Sequence, residues 1–196
     1  MNKAFLALGL VLAASLGGCG VGGQEPPPLA GARIGGPFTL TDQDGRRFDS
    51  ASLKGRYYVA YFGYTFCPDV CPLDMAVLGK GLSAFEKADP TRAAKVQPLF
   101  ITIDPERDTP AVLKQFVPNF HPRLIGLTGT PTQIAAVAKQ YATYYKKMPQ
   151  EPGATGYLMD HMRAAILFGP DGQPIALVPV DTDAGQVTAT LQKWVR

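Results

Sequence analysis

Histidine and cysteine are scarce in this 196-residue chain, which has two of the first and three of the second. Three cysteines are too few for the disulfide framework of a small secreted scaffold. No block of five like charges occurs, and 19 basic against 16 acidic residues leave a net charge of only +3. A polyelectrolyte partner such as nucleic acid is therefore not indicated. There is no Gly-rich phosphate loop, no GxSxG and no HExxH, which removes the commonest nucleotide-binding and hydrolase readings. What is present is 46% hydrophobic, 10% aromatic and 18% charged. That composition can bury a core, and the length suits one domain.

Residues 1–18 have the form of a secretory signal peptide. Lys3 is a short basic start, and Ala4–Leu16 is an uncharged, mostly apolar run of 13. That is short of the ~20 residues that span a bilayer. Leu16-Gly17-Gly18-Cys19 resembles a bacterial lipobox, in which the chain is cut before the cysteine and its thiol takes lipid. An ordinary signal peptide cut nearby and an uncleaved anchor are the competing readings. Each puts the mature domain outside the cytoplasm, where disulfides persist. Residues 19–36 hold Pro26-Pro27-Pro28 and Gly35-Gly36, show no strand or helix period, and read as a lipidated tether. The folded domain is expected over 37–196.

Within it, Phe38–Thr41 and Arg46–Phe48 read as a hairpin about Asp42-Gln-Asp-Gly45. Tyr57–Gly63, YYVAYFG, is the continuous run of a strand buried on both faces. Leu73, Val77, Leu78, Leu82 and Phe85 give residues 72–87 a helical period. Val96–Ile103 and Leu124–Leu127 are further strands, and Thr109-Pro110 and Thr130-Pro131 open helices with Pro in the first turn. Residues 146–156 read as a loop. Leu158–Phe168 and Pro174–Val180 flank the turn Gly169-Pro-Asp-Gly172, and a helix over 184–195 closes the chain. Such alternation predicts an α/β layer fold with parallel strands in its first half.

The chemistry is concentrated after YYVAYFG, in Tyr64-Thr-Phe-Cys67-Pro-Asp-Val-Cys71-Pro72. Cysteines at a helix N-terminus meet free N–H groups and the positive dipole end, which favour thiolate. At i, i+4 on a regular helix the Cβ atoms lie ~5–6 Å apart, whereas a disulfide wants them at ~3.8 Å. Two thiolates on one metal, each at ~2.3 Å, stand wider. The spacing therefore favours metal binding and forbids neither use, since Cys67 precedes the helix proper.

A third ligand would be one of the two histidines. His121, between Phe120 and Pro122, is expected to be a surface loop residue. His161, in Leu158-Met-Asp-His161-Met-Arg, is on local grounds equally a strand residue or a ligand. A Cys₂His set is soft, suits Cu(I), and takes Cu(II) with one further ligand, while zinc would keep an open position. Asp160 could orient the imidazole or merely sit at the surface. Met159 and Met162 are expected on the face opposite His161, as core packing. Asp69 is expected to be a solvated loop residue. The rings of Tyr64 and Phe66 are either core or a docking surface.

Three segments, Phe62–Pro72, Ile103-Asp-Pro-Glu-Arg-Asp-Thr-Pro110 and Tyr157-Leu-Met-Asp-His161, closely resemble the Sco/SenC family in order and spacing, from about Pro37 onward. The resemblance implies a thioredoxin-like fold, here with added β-hairpins, and a copper site on Cys67, Cys71 and His161. It implies a membrane-tethered metallochaperone for Cu(I) or Cu(II) that serves the dinuclear copper site of cytochrome c oxidase subunit II, as copper donor, as reductant of its cysteines, or both. Other periplasmic copper carriers or thiol reductases would be further partners. Lipid on Cys19 would replace the transmembrane helix of many relatives. The alternative is a thiol–disulfide oxidoreductase using Cys67 and Cys71 without obligatory copper. The Asp104–Pro110 segment is expected to be a structural turn.

Overall fold

The computed structural model describes residues 25–149, 153 and 156–196. Signal segment 1–18 and Cys19 lie outside the described residues.

The fold grows from two strands whose every residue is buried. Strands β1 (Thr39–Asp42) and β2 (Arg47–Asp49) form the first hairpin. Strand β3 (Tyr57–Gly63) follows, and helix α1 (Val70–Ala88) and the short α2 (Pro90–Ala93) lead to β4 (Val96–Thr102). Both β3 and β4 are apolar on each face because helices cover both sides. Helix α3 (Pro110–Phe116) returns to β5 (Ile125–Thr128), and α4 (Pro131–Gln140) follows. Thr109 and Thr130 cap these helices through side-chain oxygens that accept from Val112 N–H and Gln133 N–H.

After α4 come β6 (Tyr145–Lys147), β7 (Met159–His161), β8 (Ala165–Phe168), β9 (Pro174–Val178) and α5 (Ala184–Trp194). The main sheet has the order β2-β1-β5-β4-β3-β8-β9, while β6 and β7 form a separate two-stranded sheet. Strands β3, β4 and β5 are parallel and β8 and β9 antiparallel to their neighbours. On one face, Tyr61 stacks on Phe100, Phe100 meets Phe116 of α3 at a tilt, and the interior of α1 lies with them. On the other, Tyr141, just after α4, meets Phe62 and Phe168. This is a thioredoxin-like α/β fold with the expected added hairpins.

Two expectations need correction. Leu158–Phe168 is two strands in two sheets, because the chain leaves the small sheet at residues 162–164 and re-enters the main one at Ala165. Part of the expected loop 146–156 is β6, whose Tyr-Lys-Lys has little apolar signal because two of its three residues are exposed.

The expected tether 19–36 is described from Glu25, and there it lies against the domain. Leu29 and Ile34 pack on the core, Leu29 N–H donates to Ile175 O at 3.0 Å, and Gly35 N–H donates to Gln140 O at 2.8 Å. These contacts lie at the end of the sheet opposite the C-terminal end of β3. Among the described residues no helix is long and apolar enough to cross a membrane.

Candidate metal centre

Strand β3 ends at Gly63, and the next six residues turn into α1. Gly63 is required by contact: a Cβ there would lie 2.7 Å from the Tyr61 ring and 3.1 Å from Cys71 Sγ. Cys67 lies in the loop, half-buried, with its sulfur accepting from Cys71 N–H at 3.4 Å. Cys71 is in the first turn of α1 and fully buried. Both thiols are free.

His161 ends β7, on the small sheet. Its Nε2 stands 3.4 Å from Cys71 Sγ, and its Nδ1 is 3.1 Å from Met162 O. A carbonyl only accepts, so Nδ1 carries the proton and Nε2 presents its lone pair toward the cysteines. Burial lowers the imidazole pKa and keeps it neutral, against the pull of nearby carboxylates. The Tyr64 ring meets the imidazole edge-on at 5.9 Å. One sulfur from each cysteine and one nitrogen of His161 lie within 4.8 Å of one another, the one such group of His, Cys, Asp and Glu among the described residues.

Cys71 departs from the expectation of an activated thiolate. Burial pushes its thiol up to about 12, and this outweighs the backbone hydrogen bond at Tyr64 and the Tyr61 hydroxyl beside it. The sulfur is a protonated thiol until a cation displaces the proton.

Three elements hold the two halves of the site. Asp108, fully buried, accepts from Thr65 N–H (3.0 Å), Thr65 Oγ1 (2.5 Å) and Thr102 Oγ1 (2.6 Å). The cysteine loop is thereby pinned to the end of β4. Arg107 pairs with Asp104 at 2.5 Å, donates to Tyr157 O at 2.9 Å, and lies 3.7 Å from the Tyr157 ring centroid and 4.9 Å from that of Phe66. Tyr157 Oη donates to Asp104 at 2.7 Å. The Asp104–Pro110 segment is thus more than the turn expected of it: it braces the cysteine loop and the approach to His161. The signal was the motif itself, whose side-chain targets lie 43 and 50 residues away along the chain. The third element is Asp74 of α1, which accepts from Tyr61 Oη at 2.8 Å and from Arg163 at 2.5 and 3.1 Å.

Other expected residues are placed differently. His121 is buried, not a surface loop residue: its Nδ1 accepts from Arg123 N–H at 3.2 Å and its Nε2 faces Glu86 at 3.4 Å, remote from the cysteines. Met159 is two residues from His161, so it shares the histidine's face rather than the opposite one, and it is buried. Met162 points out and is 39% exposed, so it is not core. Asp160 is exposed, and Met162 O, not Asp160, orients the imidazole. Asp69 is exposed. Tyr64 is core, whereas Phe66 is 51% exposed. Leu73, Leu158 and Met162, near the site residues in sequence, are exposed as well. Two clefts, of about 840 and 760 Å³, lie against residues 25–37 and 169–175 at the other end of the sheet.

The donor set is what a soft cation needs. Two sulfurs and an imidazole suit copper and offer no carboxylate to a hard ion such as magnesium or calcium. The SCO1/SenC family profile matches residues 26–196.

The chain belongs to the SCO1/SenC family.

Among its members, the SCO1 homolog 1 of Arabidopsis thaliana mitochondria is 38% identical over 173 residues, which is 88% of this chain and 50% of that protein. The chain spans about half the length of the mitochondrial relatives it matches. The solved structure of Bradyrhizobium japonicum ScoI with copper bound is 41% identical, with a TM-score of 0.73, over 83% of this chain and 99% of that one. BsSco, a member of the Sco family of cytochrome c oxidase assembly proteins in which a disulfide switch was identified, is 25% identical, with a TM-score of 0.62, over 86% and 95%.

Proposed function

We propose that this Sco protein binds copper through Cys67, Cys71 and His161 in the assembly of cytochrome c oxidase. In this reading it delivers copper to the dinuclear site of subunit II or keeps the cysteines of that site reduced. It does so outside the cytoplasm, tethered by lipid on Cys19 and residues 19–36. The carrying observation is the convergence of two sulfurs and one imidazole nitrogen within 4.8 Å. Nothing in the local sequence requires a histidine 90 residues away to meet Cys71. The exposed Phe66, next to Cys67, supports transfer by direct contact, since a partner's thiolates must reach the metal from the exposed side. Residues 25–36 lie at the opposite end of the sheet, which supports a tether that leaves the site facing away from its anchor.

The test is copper titration of the reduced protein beside Cys67→Ser and His161→Ala. The expected result is one equivalent of Cu(I) or Cu(II), with a thiolate-to-Cu(II) absorption band that both variants lose. Affinity unchanged in both variants would overturn the reading.

A second use of the same sulfurs is favoured by their unequal exposure. Cys67, the more accessible, would attack a partner disulfide as thiolate and release one partner thiolate. Cys71 would then attack Cys67 Sγ, close the Cys67–Cys71 disulfide and release the second partner thiol, so that two electrons pass to the partner. In that use His161→Ala would leave partner reduction intact while Cys67→Ser abolished it.

A further inference from the structure

His161 is carried by a three-residue strand outside the main sheet, so something must fix it against a sulfur carried by α1. On its N-terminal side, Arg107 and Asp104 hold Tyr157. On its C-terminal side the chain is leaving the small sheet, and Met162 N–H donates to Tyr144 O as the last rung. The next side chain, Arg163, reaches back to α1 and grips both oxygens of Asp74. Asp74 is three residues past Cys71 and 1% exposed, and its carboxylate also accepts from Tyr61, whose ring lies beside Cys71 Sγ. These contacts close a ring: Cys71, Tyr61, Asp74, Arg163, Met162, His161, and Cys71 again.

We propose that Asp74 and Arg163 are a positioning pair that holds His161 against Cys71 and thereby sets how well the site takes Cu(II) relative to Cu(I). The fork of a guanidinium on both carboxylate oxygens fixes orientation as well as distance. A lone lysine or a surface pair would not do this. The two oxidation states feel the loss of that orientation differently. Soft thiolates alone satisfy Cu(I), whereas Cu(II) depends on the imidazole nitrogen and a fixed geometry. The pair sits outside the ligands and acts through His161, as groups beyond the ligands of metal sites commonly do.

The inference rests on the copper site proposed above, and its test separates the two. The reduced full-length protein, Arg163→Gln, Arg163→Lys, Asp74→Asn and the double variant Asp74→Asn/Arg163→Gln are titrated with Cu(II), read by the thiolate charge-transfer band and electron paramagnetic resonance. Cu(I) is titrated in parallel by competition with a chromophoric chelator, and thermal unfolding of the metal-free proteins reports the fold. The expected result is a fall in Cu(II) affinity of about 10–100-fold in Arg163→Gln and Asp74→Asn. Cu(I) affinity falls much less, and Arg163→Lys lies between because an ammonium keeps the charge without the fork. The double variant has no unpaired buried charge, so it folds even where a single variant does not, and it shows the same selective loss. Wild-type Cu(II) affinity and spectrum in the folded variants overturn the proposal, as does an equal loss of both oxidation states, which marks a merely structural pair. A wild-type protein that binds no copper overturns the copper site itself.

Discussion

Cys71 carries opposite demands. Its burial lets it pack beneath the β3–α1 junction, and the same burial holds its thiol at about 12 against the ordinary 9.0. A metal that binds it must expel the proton, so copper loading at neutral pH releases at least one proton from this residue. Apparent affinity therefore rises with pH, by about tenfold per pH unit for each proton released. Calorimetry of copper binding in buffers of different ionisation enthalpy measures that proton count. A count of zero would mean that Cys71 is not a ligand or is already ionised. In the reduced, metal-free protein the sign is also fixed. The unfolded chain ionises this thiol from the ordinary 9.0 and the folded one only near 12, so stability falls as pH rises through that window.

At the scale of elements, the site is a loop and a short strand held by carboxylates. Asp108 satisfies three donors of the cysteine loop and β4, and burial raises its own pKa despite them. Asp108→Ala leaves buried donors unpaired, so a loss of about 1–3 kcal/mol is expected in chemical unfolding, with weaker copper binding. Unchanged stability would show that water replaces the carboxylate. These elements also show what was legible in sequence. The run YYVAYFG into CPDVC announced a buried strand, a loop and a helix start, because each is encoded by neighbouring residues. The pinning of Thr65 by Asp108, the grip of Arg163 on Asp74 and the burial of His121 on Glu86 link residues 35–89 positions apart. No local pattern encodes such contacts, and only the family resemblance pointed to His161 as the partner of the cysteines. Strand β6 was missed because a three-residue strand of Tyr-Lys-Lys carries no alternation of polarity to read.

For the whole molecule, the candidate metal centre and residues 25–36 occupy opposite ends of one sheet. The segment from Glu25 to Gly36 contributes to the fold as well as leading into it. Leu29 and Ile34 pack on the core, and the segment's backbone bonds Ile175 and Gln140. Removing everything before Pro37 should therefore cost about 2–4 kcal/mol relative to a chain starting at Glu25, from two partly buried aliphatic side chains and two hydrogen bonds. Equal midpoints in thermal unfolding of the two chains would return residues 25–36 to the role of a passive linker. Because the site lies at the far end, copper affinity should be the same in both.

The most direct test of the central claim is X-ray absorption at the copper edge of the Cu(I)-loaded protein, beside His161→Ala. The account predicts two sulfur scatterers and one imidazole nitrogen, with the nitrogen shell lost in the variant and both sulfurs kept. A spectrum with no sulfur, or one whose nitrogen shell survives His161→Ala, would contradict it.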